Sequence, residues 1–286
     1  MTTMTATPTD RLGLRAVRLN KVPKVILSFW IIKVLCTTIG ETAADYLNDI
    51  LGLGPTTTTL VMSVLLVAAL VVQFRVHRYL PPVYWVAVVL ISVLGTLITD
   101  NLTDRFGVPL EITTTVFAIV LAGVFAVWYA MERTLSIHTI FTIRREAFYW
   151  LAVLFTFALG TAAGDLTAER FGLGYGPSIL LFGALIGTVA AAHYGLRLDA
   201  ITSFWLAYIL TRPLGASIGD YLSQPTDDGG LGLGTTITTA LFLATIVGLV
   251  AFLTITGRDQ DQTEQASARP VRRRSLATPE PVPDEV

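Results

Sequence analysis

Asp45, Asp100, Asp165 and Asp220 occupy one position in four similar apolar stretches. These are WIIKVLCTTIGETAAD (30–45), WVAVVLISVLGTLITD (85–100), WLAVLFTFALGTAAGD (150–165) and WLAYILTRPLGASIGD (205–220). Each opens on tryptophan, with a glycine ten residues later and the aspartate five after that, and no copy needs a gap. An ionised carboxylate near the centre of a membrane helix costs about 2.5–3.5 kcal/mol, so residues of this kind are functional candidates by default. Glu41 adds a fifth acid, against only Lys33 and Arg212 as basic residues within the same apolar stretches. Protonation, water access or a bound cation would offset the excess of negative charge. Oxygen ligands suit hard ions such as Mn²⁺, Mg²⁺ or Ca²⁺, or alternatively Na⁺ or protons.

On a helix, residues four apart share a face. Steps of four back from each aspartate run Asp45, Glu41, Thr37, Lys33; Asp100, Thr96, Ser92, Val88; Asp165, Thr161, Phe157, Val153; and Asp220, Ala216, Arg212, Tyr208. One face of each helix therefore turns polar toward its aspartate end. The glycines Gly40, Gly95, Gly160 and Gly215 lie on a neighbouring face. Gly164 and Gly219 complete a GxxxG pattern in the last two copies, and Ala44 and Thr99 hold the same place in the first two. Small residues at this spacing mark close helix packing in membranes, which turns the four carboxylates toward a common interior. Arg212 precedes Pro213, a residue that kinks helices, and suits a gate or a counter-ion to Asp220 or Glu41. Two structural alternatives stand beside the cation site. The aspartates could cap the following turn or bond to a neighbouring helix, or they could mark the membrane interface together with Asp49 and Asp104.

The elements that carry these residues are membrane helices. The chain of 286 residues is 53% hydrophobic and 14% charged, against about 25% charged in a soluble domain. Apolar segments at 22–48, 57–75, 82–103, 112–131, 147–168, 177–196, 201–222 and 235–256 are each near the roughly 20 residues that cross a bilayer. Backbone satisfaction in lipid makes them helices. The fold class is all-α, a polytopic membrane protein of eight transmembrane helices in four helical-hairpin repeats (22–78, 79–133, 144–198 and 199–257). Two spans per repeat keep all four in one orientation. Turns rich in Gly and Pro follow the aspartates, and the Thr and Ser residues that open the even helices are expected to cap them, with the lining of a polar vestibule as the alternative.

Sixteen Lys and Arg residues fall on the side of the two termini and two, Arg105 and Arg170, on the other, which predicts cytoplasmic termini. The four tryptophans read as an aromatic belt on the termini side. Residues 1–21 are expected to form a cytoplasmic arm, and residues 258–286 a disordered cytoplasmic tail whose basic run at 272–274 is solvated. A single cysteine, Cys36, excludes an internal disulfide. His77, His138 and His193 fall at helix ends and read as interfacial. The net charge of −1 points to no nucleic-acid partner. No nucleophile–base pair, metalloprotease motif or phosphate loop is recognisable, so the chain is not read as an enzyme and no organic cofactor is expected.

Four tandem two-helix repeats, each with a Trp and a G-x-x-x-x-D ending its first helix, resemble the bacterial four-repeat family of uncharacterised membrane-anchored proteins. The opening KVPKVILSFWIIKVLCTTIGETAADYL is especially similar. The resemblance covers about residues 20–257 and implies an integral protein of the bacterial cytoplasmic membrane, without implying a substrate. Taken together, the residues lead to one expectation: a transporter or permease of a small cation. Asp45, Asp100, Asp165, Asp220 and Glu41 would be its ligands or proton carriers. Lys33 and Arg212 would be charge partners or gate, with Thr37, Ser92, Thr96 and Thr161 as supporting hydroxyls. The alternative is a non-transporting scaffold or sensor in which the aspartates bond helix to helix. The partners expected are the lipid bilayer and a small cation.

Overall fold

The computed structural model describes residues 20–259. Of the expected arm (1–21) and tail (258–286), residues 1–19 and 260–286 lie outside the described residues. Eight long helices follow one another: α1 (Leu27–Asp45), α2 (Gly54–Arg75), α3 (Pro81–Asp100), α4 (Leu110–Glu132), α5 (Ile143–Asp165), α6 (Tyr175–Leu196), α7 (Ala200–Ser223) and α8 (Thr235–Thr256). Among the described residues there is no strand. Seven of the eight are long and apolar enough to cross a membrane. The exception is α7, where Arg212, Asp220 and several hydroxyls lower the hydropathy, and it lies among the other seven.

The odd helices form a closed ring: α1 packs on α3, α3 on α5, α5 on α7 and α7 on α1. The even helices form an outer layer. Each leans mainly on the odd helix of the following repeat, α2 on α3, α4 on α5 and α6 on α7, and α8 closes the circle on α1. The hairpin connection is therefore local, whereas the larger helix interface joins one repeat to the next. Burial divides the layers accordingly, at 61–67% of the most apolar stretch in α1, α3 and α5 against 6–22% in the outer helices.

The repeated glycine sets the ring's spacing. A methyl group on Gly40 would collide with Ser92, one on Gly95 with Phe157, one on Gly160 with Arg212 and one on Gly215 with Thr37. Each partner lies eight residues before the aspartate of the next repeat, and the fourth contact returns to the first. Backbones approach this closely only where no Cβ intervenes. Gly164 is looser, since a Cβ there would sit 3.6 Å from that of Ala216. At Gly219 it would sit 3.2 Å from Glu41 Cβ.

The chain after each of the first three aspartates winds into a π turn, Tyr46–Ile50, Asn101–Arg105 and Leu166–Arg170. Such turns occur mostly as short insertions at functional places. None of these three aspartates caps its turn through the side chain, contrary to the capping alternative. The hydroxyls that open the even helices also differ from the expectation. Thr58, Thr113, Ser178 and Thr238 each donate back to the carbonyl four residues earlier rather than accepting from orphan amides. The apolar surroundings leave the hydroxyl proton without water, and the nearest acceptor is that carbonyl.

Two residues assigned to the terminal segments are packed. Lys21 is buried, paired with Glu146 at 2.6 Å and donating to the Phe74 carbonyl. Asp259 accepts from the Tyr79 hydroxyl at 2.5 Å. Burial pushes the Asp259 carboxyl above the usual range, against the lowering effect of the tyrosine bond.

Candidate functional site

The packed ring brings the four matched faces to one axis, layer by layer. Asp45, Asp100, Asp165 and Asp220 line a single cavity of about 150 Å³ together with Glu41. Asp220 is buried and the other three are half-buried. The wall is completed by Thr103, Asp104, Leu110, Glu169 and Gln224. Asp104, Glu169 and Gln224 lie four residues after their repeat's aspartate. One forward step along the same face would have found them. Asp104 therefore belongs to the cavity rather than marking only an interface. At the rim Arg170 pairs with Glu111 at 2.7 Å, and Arg105 donates to Thr56. Among the described residues no three His, Cys, Asp or Glu side chains are placed to hold one metal ion together.

Beneath the aspartates one guanidinium joins all four repeats. Arg212, fully buried on α7, donates to the Thr37 carbonyl at 3.0 Å, to Glu41 Oε2 at 2.8 Å and to Thr161 Oγ1 at 2.6 Å. It also donates to Thr96 Oγ1, which in turn donates to Glu41 Oε2 at 3.3 Å. Glu41, Thr96 and Thr161 hold equivalent positions, four before the aspartate. Repeat 4 has Ala216 there, the small side chain that leaves room for its own arginine. Of the two counter-ions considered for Arg212, the structure selects Glu41 over Asp220. Thr37 bonds across the same seam to the Thr211 carbonyl at 3.2 Å. Ser92 is buried against Gly40 and its hydroxyl has no hydrogen-bond partner among the described residues, so it is a packing group rather than a supporting ligand.

Lys33 lies one layer further toward the tryptophans. No carboxylate among the described residues forms an ion pair with it. Its ammonium instead stands 4.0 Å from the Phe157 ring centre and 4.2 Å from that of Tyr208, with Thr211 Oγ1 at 3.4 Å. The negative face of an aromatic ring is a favourable seat for a lysine head group. The expected role as a partner of the acids is thus replaced by an aromatic seat, because two helical turns separate Lys33 from Glu41 along α1. Below it the axis is closed by aromatic rings. Phe29, Tyr84, Tyr149 and Phe204 all lie sixteen residues before their aspartates, and the Tyr84 and Tyr149 hydroxyls meet at 2.5 Å. An aromatic residue recurs at this position in every copy, one step beyond where the four-residue face was followed. Trp85, Trp150 and Trp205 pack beside these rings and are buried, more deeply than a belt at a lipid interface requires.

Eight membrane helices in four tandem repeats, with a polar axis running from acids through Arg212 and Lys33 to aromatic rings, define an integral membrane protein of internally repeated architecture. The family described as Repeat of Unknown Function (DUF347) matches at residues 28–79, 83–134, 148–198 and 203–259, and the chain belongs to it. No curated protein and no solved structure matches the chain.

Proposed function

We propose that the protein carries a small hard cation, a divalent metal such as Mn²⁺ or a proton-coupled ion, across a bacterial cytoplasmic membrane. The observation that carries this reading is the meeting of four equivalent aspartates and Glu41 in one polar cavity. Acids gathered around an open space attract a cation, whereas acids that only join helices would point to separate neighbours. Their spacing suits a partly hydrated ion or protons more than a fully enclosed metal. Arg212 and Lys33 stand on the axis below, so a cation cannot simply pass through as in an open channel. Glu41 both lines the cavity and binds Arg212. A cation taken by Glu41 competes with the guanidinium, and α7 is weakened beside it by Pro213, which has no amide to donate. The bias of basic residues toward the termini side supports cytoplasmic termini and an outward acidic cavity.

The second reading, a scaffold or sensor, is favoured by Arg212 itself, since one guanidinium tying four repeats together is a strong interhelical joint. Flux separates the two. Purified protein in liposomes is loaded with a metal- or pH-sensitive dye, and Mn²⁺ and proton movement are measured for the wild type and for Asp45→Asn/Asp220→Asn. Transport predicts flux in the wild type and its loss in the double variant. Equal flux in both would sink it, and unchanged ion binding with a lowered melting temperature would select the scaffold. Labelling of Asp227→Cys, at an exposed turn, by an impermeant reagent from outside tests the orientation.

A further inference from the structure

The four outer helices share one register, marked by the buried hydroxyls of Thr58, Thr113, Ser178 and Thr238. Twelve and fifteen residues after each hydroxyl stand the side chains that wedge into a seam of the inner ring. In α4 they are Phe125 and Trp128, whose rings lie 4.9 and 5.8 Å from that of Trp205. In α8 they are Val250 and Leu253, and in α2 Leu70 and Gln73; Leu253 and Gln73 are both buried. In α6 the same places hold Ala190 and His193. Ala190 is too small to wedge, and His193 turns to the Leu198 carbonyl at 2.9 Å. The seam between α7 and α1 consequently keeps a groove of about 600 Å³ beside Trp30, the counterpart of Trp205. Ligand cavities of this kind run from about 300 to 1,000 Å³.

The groove opens where the chain meets the bilayer. Only 6% of the most apolar stretch of α6 is buried, and Leu180, Tyr194 and Leu196 are 75%, 86% and 83% exposed. Its walls along Val34, Ile186 and Ala207 are apolar, Ser136, His138, His193 and Ser203 supply polar groups, and no carboxylate lines it. Hydroxyls and imidazoles without an acid suit a phosphate and repel nothing anionic, the reverse of the aspartate cavity. A helix about 10 Å across with a 5.4 Å pitch would fit only about one and a half turns into this volume, so a helix of a second copy is a poor occupant.

We propose that this groove is a binding site for a membrane phospholipid, one acyl chain filling the seam and the headgroup resting against the histidines. The inference does not depend on transport. The missing wedge defines the test. The full chain is reconstituted in phosphatidylcholine liposomes containing a minor fraction of lipid with brominated acyl chains, and tryptophan fluorescence is followed. Native mass spectrometry of the detergent-solubilised protein counts retained phospholipid. Ala190→Phe/His193→Leu restores the wedge without adding a tryptophan, and Ala190→Leu is a milder form should the pair fail to fold. The wild type is expected to be quenched at low brominated-lipid fractions and to keep a bound phospholipid, and the wedge variants to lose both. Equal quenching and equal lipid counts in wild type and variants overturn the proposal. So does a wild-type dimer that the variants abolish, or quenching by brominated free fatty acid with none by brominated phospholipid.

Discussion

At one end of the axis four copies of an aspartate meet and leave space between them. At the other end four copies of an aromatic residue pack in two pairs, Phe29 with Phe204 and Tyr84 with Tyr149. Both ends are products of the same repetition. The difference lies in what each side chain does with a like neighbour. Carboxylates that share a site repel and keep space between them, whereas rings attract in tilted or offset contact and exclude water. Between the two ends the copies cease to be equivalent. Glu41 and Lys33 occur only in repeat 1, and Arg212 and Pro213 only in repeat 4. A perfect four-fold ring would present four identical charges or none at each layer. The two altered copies instead place one anion against one cation where the polar end gives way to the aromatic end.

The contrast can be broken most severely at that boundary. Arg212→Met leaves Glu41 buried without its cation, a loss that costs about 3–5 kcal/mol for a buried pair. Thermal unfolding in detergent should fall sharply, and Glu41→Gln added to the same chain should recover part of the loss. Next in size is the ring spacing. Gly215→Ala drives a methyl into Thr37 and should cost about 1–3 kcal/mol as overpacking, whereas Gly164→Ala, with its looser neighbour, should stay near the wild type in the same melt. At the aromatic end, Tyr84→Phe removes one side of the Tyr84–Tyr149 bond and should cost about 1 kcal/mol, read from denaturant or heat titration. The smallest effect belongs to the acidic end. Asp100→Asn takes one carboxylate out of the group that crowds the cavity and should leave the melting temperature unchanged or raise it slightly. A loss there as large as that of Arg212→Met would mean that the aspartates hold helices together and that the two ends do not differ in the way described.

Much of this arrangement was legible in the residues. Counting in fours places the matched aspartates and the hydroxyls Thr96 and Thr161 on one face, and the structure brings them to one axis, while the glycines of the neighbouring face mark the seams between inner helices. Counting failed where helix geometry changed or where the count stopped. Glu169 and Gln224 lie past the aspartate, Glu169 beyond the start of a π turn. The aromatic quartet lies one step before the point where the polar residues ended. Ser92 satisfied the same count but meets Gly40 of the neighbouring helix, since a shared face does not say which part of it touches the axis. Lys33 was grouped with the acids by its face, yet two helical turns along α1 are enough to move it from the carboxylates to Phe157 and Tyr208.

The amino-acid sequence by itself determined the helices, their number and the shared orientation of the four repeats. Those follow from local composition, from the need of a backbone in lipid to bond to itself, and from two spans per repeat. Only the tertiary structure decided that each outer helix packs on the next repeat's inner helix. It also decided that Arg212 takes Glu41 rather than Asp220, and that α6 leaves its seam unfilled. These are relations between segments far apart in the chain. They depend on which backbones can approach, and that is settled when four glycines, each without a Cβ, close the ring from the fourth repeat back onto the first.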